Sequence, residues 1–96
     1  MTNPSSKAAP AAGPRWTREQ IRAARQAALV PLLRKAGLEL IEHPVGNFEV
    51  RAYPGLLVKD SYWRWPQHGQ AGNAIDFFMA VLGLSSHDAM RQITGP

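Results

Sequence analysis

The sequence predicts an α+β domain: a small antiparallel β-meander flanked by N-terminal and C-terminal helices. Three observations lead there. Helical spacing of apolar residues gives way to alternation at Leu38. Four short alternating runs then follow one another with only turn signals between them, which leaves no room for parallel crossovers. From Asn73 the helical spacing returns, with cap residues at its start.

Residues 1–15, MTNPSSKAAPAAGPR, carry no large apolar side chain that could offset the entropy of ordering, and are expected to form a disordered Ala/Pro/Ser-rich tail or linker. The folded module is expected over 16–95. Thr17 opens the first helix, with Gln20 three residues on completing a capping box and Trp16 as the outer half of a hydrophobic staple. Ile21, Ala24 and Ala28 share one face of this helix, whereas Leu29, Leu33 and Ala36 would point elsewhere if it ran on unbroken. Pro31 suits the first turn of a new helix, so a break is expected near Val30, with a second helix ending at Gly37. Arg18, Arg22 and Arg25 form a basic row, readable as a solvated flank or as a contact for backbone phosphates.

LELIEH and NFEVRA form a hairpin around PVGN, with Phe48 and Val50 on one side and Glu49 and Arg51 on the other. YPG turns into LLVKD, and Asp60-Ser61 links tightly to YWRW. Within that last strand Trp63 and Trp65 share one face and Tyr62 and Arg64 the other. The two indoles are assigned to the core, packing on Ile75, Phe78 and Met79. Asn73 and Asp76 cap a helix with Ile75, Phe78, Met79 and Leu82 on one face, which Gly83 ends. Ser85 and Asp88 start the last helix, with Ala89, Met90 and Ile93 inward, before Gly95-Pro96 closes the chain.

At 96 residues, 45% hydrophobic and 19% charged, the chain holds one small globular core and no second lobe. Its net charge of +4 and pI near 10.1 incline it toward an acidic partner such as nucleic acid. With no cysteine, disulfides, thiolate metal sites and thiol nucleophiles are excluded. The seven acidic residues are scattered, so no magnesium-binding carboxylate cluster is expected. Neither a serine nucleophile elbow nor a phosphate-binding Walker loop is present, and no catalytic residue or cofactor is assigned. No apolar run reaches the roughly 20 residues of a membrane span, and 1–14 lack the apolar centre of a secretory signal, so a cytoplasmic protein is expected.

In GQAGNAIDFFMAVLGLSSHDAMRQITG, the residues Gly69, Gly72, Asn73, Ile75, Asp76, Phe77, Met79, Gly83, Leu84, Ser85, Ala89 and Ile93 keep a recognisable order. That segment resembles the end of the zinc-binding domain of bacterial replicative DNA primases. LVPLLRKAGLELIEH looks like the family's opening helix and first strand, and GNFEVRA like the strand leading to its first ligand pair, so the similarity runs over roughly residues 20–94. The family's knuckle cysteines fall on Trp65 and His68, and its Cys-x-x-His pair near Ala52 and Gly55. At most one of four ligands remains, and metal binding is not expected. WRWPQHGQAGN also resembles the aromatic strand and glycine turn of cysteine-less segments that precede Toprim domains in plasmid and mobile-element proteins. There Ala71 replaces a glycine, which raises the question of a positive φ at that position.

The resemblance implies a zinc-ribbon-like fold without zinc, whose sheet contacts template DNA. The residues agree with this: Tyr62 is a stacking platform, flanked by Arg64 and, from neighbouring strands, by Lys59 and Arg51. The bland alternative makes the same side chains a solvated sheet face. A second anion site is conceivable at the backbone N–H groups of 72–75, with His68 beside it. The expected function is therefore recognition of single-stranded DNA for a separate replication or mobilisation enzyme. The competing expectation is a protein-interaction adaptor docking on a helicase, polymerase or relaxase; an exposed apolar patch near Val45 or Leu56 would favour it. A third possibility is that the chain is a domain detached from a longer protein.

Overall fold

The computed structural model describes residues 16–95; the expected tail at 1–15 and the closing Pro96 lie outside the described residues. The first helix, α1 (Arg18–Arg25), starts at the anticipated capping box. Gln20 N–H donates to Thr17 Oγ1 at 3.0 Å, and Thr17 N–H donates to Gln20 Oε1 at 2.8 Å. It ends at Gln26, a few residues before the expected break, and α2 (Leu29–Lys35) begins with no side-chain cap. Instead, the Leu29 N–H donates to the Asp60 carbonyl at 2.8 Å, so a turn of the sheet caps this helix. Because the break comes early, Ala28 lies outside both helices and is exposed, as is Ala36 beyond the second.

Five strands follow: β1 (Leu40–His43), β2 (Asn47–Val50), β3 (Leu57–Lys59), β4 (Tyr62–Trp65) and β5 (Gln70–Gly72). They form one antiparallel sheet in the order β1-β2-β3-β4-β5. The meander is as expected, with one strand more. Gln70-Ala71-Gly72 has no β-branched or aromatic residue, and only its pairing with Trp63–Trp65 makes it a strand. Ala71 pairs with Arg64 in extended backbone, and the positive φ of this turn belongs to Gly69.

The C-terminal part is α3 (Ala74–Asp76), which widens into a π-type turn over Phe77–Val81, and α4 (Ser86–Thr94). Asn73 and Asp76 form a reciprocal cap, and Ser85 Oγ accepts from Asp88 N–H at 3.1 Å. The buried stripe is Ala74, Phe77 and Phe78 with Val81 packed beside them, at the i, i+3, i+4, i+7 spacing of one helix face adjacent to the expected one. Phe77, absent from the expected core face, is fully buried, whereas Met79 is 40% exposed and leaves the expected packing on the tryptophans.

The core lies between the helices and one sheet face. Leu29 and Leu33 of α2, Val50, Val58 and Trp63 of the sheet, Phe77, Phe78 and Ala89 form one buried cluster with Leu56. Trp63 is its largest member at 1% exposure; its ring meets Phe77 edge-on and its Nε1–H donates to the Asn73 carbonyl at 2.8 Å. Trp65 is only half-buried, which corrects the expectation of two core indoles. No helix among the described residues is long and apolar enough to cross a membrane.

Candidate nucleic-acid interface

Cross-strand pairing decides which side chains share a face, since directly paired residues project to the same side. Val58 pairs with Trp63 and with Phe48, which sets the covered face. On the opposite face, one row runs Ile41, Glu49, Leu57, Arg64, Ala71 across the five strands. The next row joins the His43–Asn47 pair on β1 and β2 to the Lys59–Tyr62 pair on β3 and β4. Lys59, Tyr62 and Arg64 are all exposed, Tyr62 at 53%. The structure thus brings three of the five anticipated residues together.

Arg51 and His68 are not part of that group. Arg51 follows β2 at the end away from Lys59, where its N–H donates to the Glu39 carbonyl and its Nε lies 3.5 Å from Glu39 Oε1. His68 sits in a short 3₁₀ turn after β4, its ring 3.9 Å from that of Trp65, a residue of the covered-face register. The anion site expected beside it is partly occupied by the protein's own carboxylate. The Asp76 carboxylate accepts from the Asn73 N–H at the start of α3 and lies so close to Gly72 that no Cβ would fit there. A negative group in that position repels a phosphate.

Two residues of the interface were not singled out from the sequence. Glu49 places the only carboxylate in the two rows of the open face, and both its oxygens are engaged: Oε2 accepts from the Gly55 N–H at 2.9 Å and Oε1 from His43 Nε2 at 3.0 Å. The Gly55 N–H, then the His43 hydrogen bond, hold the Glu49 carboxyl below the usual glutamate range. Asn47 is the other. Two shallow depressions of about 550 and 240 Å³ both include Asn47, Leu57 and Arg64, and together they run from Lys59 and Tyr62 to Pro44. Neither residue belongs to a recognisable motif; only the strand register reveals their place. The helical basic row of Arg18, Arg22 and Arg25 is exposed on α1, which packs against α3 and α4 and lies outside these two rows.

The two turns at which the resemblance places metal ligands face each other. Trp65 Nε1–H donates to the Pro54 carbonyl at 3.1 Å, the Trp65 and Tyr53 rings meet edge-on, and Gly55 backs directly onto Gln67 with φ +88°. At the four ligand positions the side chains are Ala52, Gly55, Trp65 and His68, a donor set that does not fit zinc. Among the described residues no three His, Asp or Glu side chains converge on a common point. Aromatic packing and one indole hydrogen bond join these turns. No family model matches the chain, and neither the curated proteins nor the solved structures contain a match to it.

Proposed function

We propose that the chain is a non-catalytic, cytoplasmic nucleic-acid-binding module of primase type, recognising single-stranded DNA for a separate replication or mobilisation enzyme. The observation that carries this reading is the exposed Tyr62 ring set between Lys59 and Arg64 on the sheet face opposite the core. A flat ring offers a stacking surface to any base at roughly 1–3 kcal/mol per base, and flanking cations follow the phosphates. The juxtaposed turns at Ala52–Gly55 and Trp65–His68 support the resemblance to a zinc-ribbon-like domain that holds its knuckles without metal.

The test is a titration with labelled single-stranded oligonucleotide, with duplex alongside, at low and moderate salt. Binding should prefer the single strand. Its log K should fall with log salt by about 0.7 per phosphate neutralised, so the Lys59→Glu/Arg64→Glu variant should bind far more weakly and with a shallower slope. Undiminished binding by that variant would rule out this face.

The adaptor reading has one observation in its favour. Val45 is 80% exposed, although Leu56, the other position that would have marked a docking patch, is fully buried. An adaptor would show no salt-sensitive DNA affinity and would capture a replication protein instead.

A further inference from the structure

The hairpin between β1 and β2 contains a residue that the fold does not explain. Val45 has φ +63° and ψ +35°, the left-handed region, where a β-branched side chain crowds its own backbone. Asparagine or glycine would relieve that crowding. Strain of this kind is usually offset by burial, yet Val45 is 80% exposed and is not among the residues of the core cluster. The folded state gains nothing from this side chain in return for the strain it imposes.

Its position suggests what does gain. Asn47 Nδ2–H donates to the Pro44 carbonyl at 3.2 Å, fixing the turn on the end of the row that leads through Asn47 and Lys59 to Tyr62. One arm of the linked depressions on the open face reaches Pro44, next to Val45, while another runs toward Pro66 and Gln67. From β2 to β4 is two strand spacings, roughly 10 Å, about three stacked nucleotides at roughly 3.4 Å each.

We infer that Val45 is a ligand contact: a single strand crosses the sheet from Tyr62 to the hairpin tip, one base stacking on the Tyr62 ring and another packing against the exposed Val45 side chain. This rests on the nucleic-acid reading proposed above and extends its surface by one residue and one direction. Uncharged apolar contact with a base suits a position beyond the cations, because the phosphates are held by Lys59 and Arg64.

The experiment compares wild type, Val45→Asn and Val45→Leu, reading thermal midpoint and affinity for a labelled oligothymidylate of about fifteen nucleotides. Val45→Asn relaxes the backbone, so its Tm should rise by a few degrees while its affinity falls roughly fivefold, the loss of about one apolar contact. Val45→Leu keeps the apolar surface and should retain most of the affinity. A raised Tm with unchanged affinity in Val45→Asn overturns the assignment of Val45 while leaving the Tyr62 surface standing. Absence of binding by wild type itself overturns both.

Discussion

Tyr62 and Trp63 are neighbours in one strand and meet opposite fates. Trp63 is 1% exposed, edge-on against Phe77, and bonded through its indole to the cap of α3. Tyr62 is 53% exposed, with Lys59 paired directly across from it. On the covered face the aromatic holds the domain together; on the open face it is surface that folding leaves unused. A chain this small has little apolar material to spare. An aromatic left in water beside two cations is therefore the feature of the open face on which the proposed binding rests.

The largest consequence of this division should come from the covered face. Trp63→Ala removes the biggest core side chain and one of the two donors to the Asn73 carbonyl, which keeps the Phe77 N–H, at about 3–5 kcal/mol. Domains of this size retain on the order of 4–12 kcal/mol in all, so the variant should lose a large share of its stability and melt more than about 10 °C lower by circular dichroism. A melt close to wild type would mean that α3 and the sheet do not depend on this indole.

The open face should respond the other way round. Lys59→Glu/Arg64→Glu should cost at most about 0.5 kcal/mol per site, as for exposed positions generally, while removing most of the single-strand affinity. Loss of the fold in this variant would show that the two faces are not separable.

Between these extremes stands Trp65, half-buried and bonded to Pro54. Trp65→Ala should destabilise by about 2 kcal/mol, less than Trp63→Ala, because part of its ring is already solvated. Added zinc should not restore the loss, and denaturant unfolding with and without the metal reads both effects. Equal destabilisation by the two tryptophan variants would place Trp65 in the core after all.

The opposite faces of Tyr62 and Trp63 were legible from alternation alone, though not the partial burial of Trp65, and so were the caps. Thr17 with Gln20, Asn73 with Asp76, and Ser85 with Asp88 all form the hydrogen bonds their spacing predicts. What escaped depends on partners distant in sequence. β5 is a strand only because β4 lies beside it. The segment after Asn73 carries two apolar stripes of the same helical spacing, and packing buries the one through Ala74, Phe77 and Phe78 in preference to the one through Met79. For the interface, alternation brought Tyr62 and Arg64 together, and the short β3–β4 turn added Lys59. Arg51 lies apart from that group because position along a strand, unlike side of the sheet, depends on register, and the register places it past Glu49, opposite Glu39. Glu49 itself was read only as the polar half of an alternation. Its clamp on Gly55 comes from a turn whose geometry no local pattern encodes.

That clamp provides the smallest of the expected effects. The Glu49 carboxyl titrates below its ordinary range in the folded chain, so the stability it contributes is present above the unfolded value of roughly pH 4–5. It is lost as the pH falls through the lower folded value. Glu49→Gln removes the titrating group, and thermal melts from pH 6 down to 3 should show a shallower decline than wild type. An unchanged acid profile would mean that other carboxylates account for all of it.

The proposed division between a face that folds and a face that binds is tested most directly by amide chemical-shift mapping of the ¹⁵N-labelled chain titrated with a short single-stranded oligonucleotide at low salt. The account predicts perturbations concentrated at Asn47, Leu57 to Arg64 and the hairpin tip at Val45, fading as salt is raised, with α4 silent. Shifts confined to α1 and α4, or none at all, would contradict it.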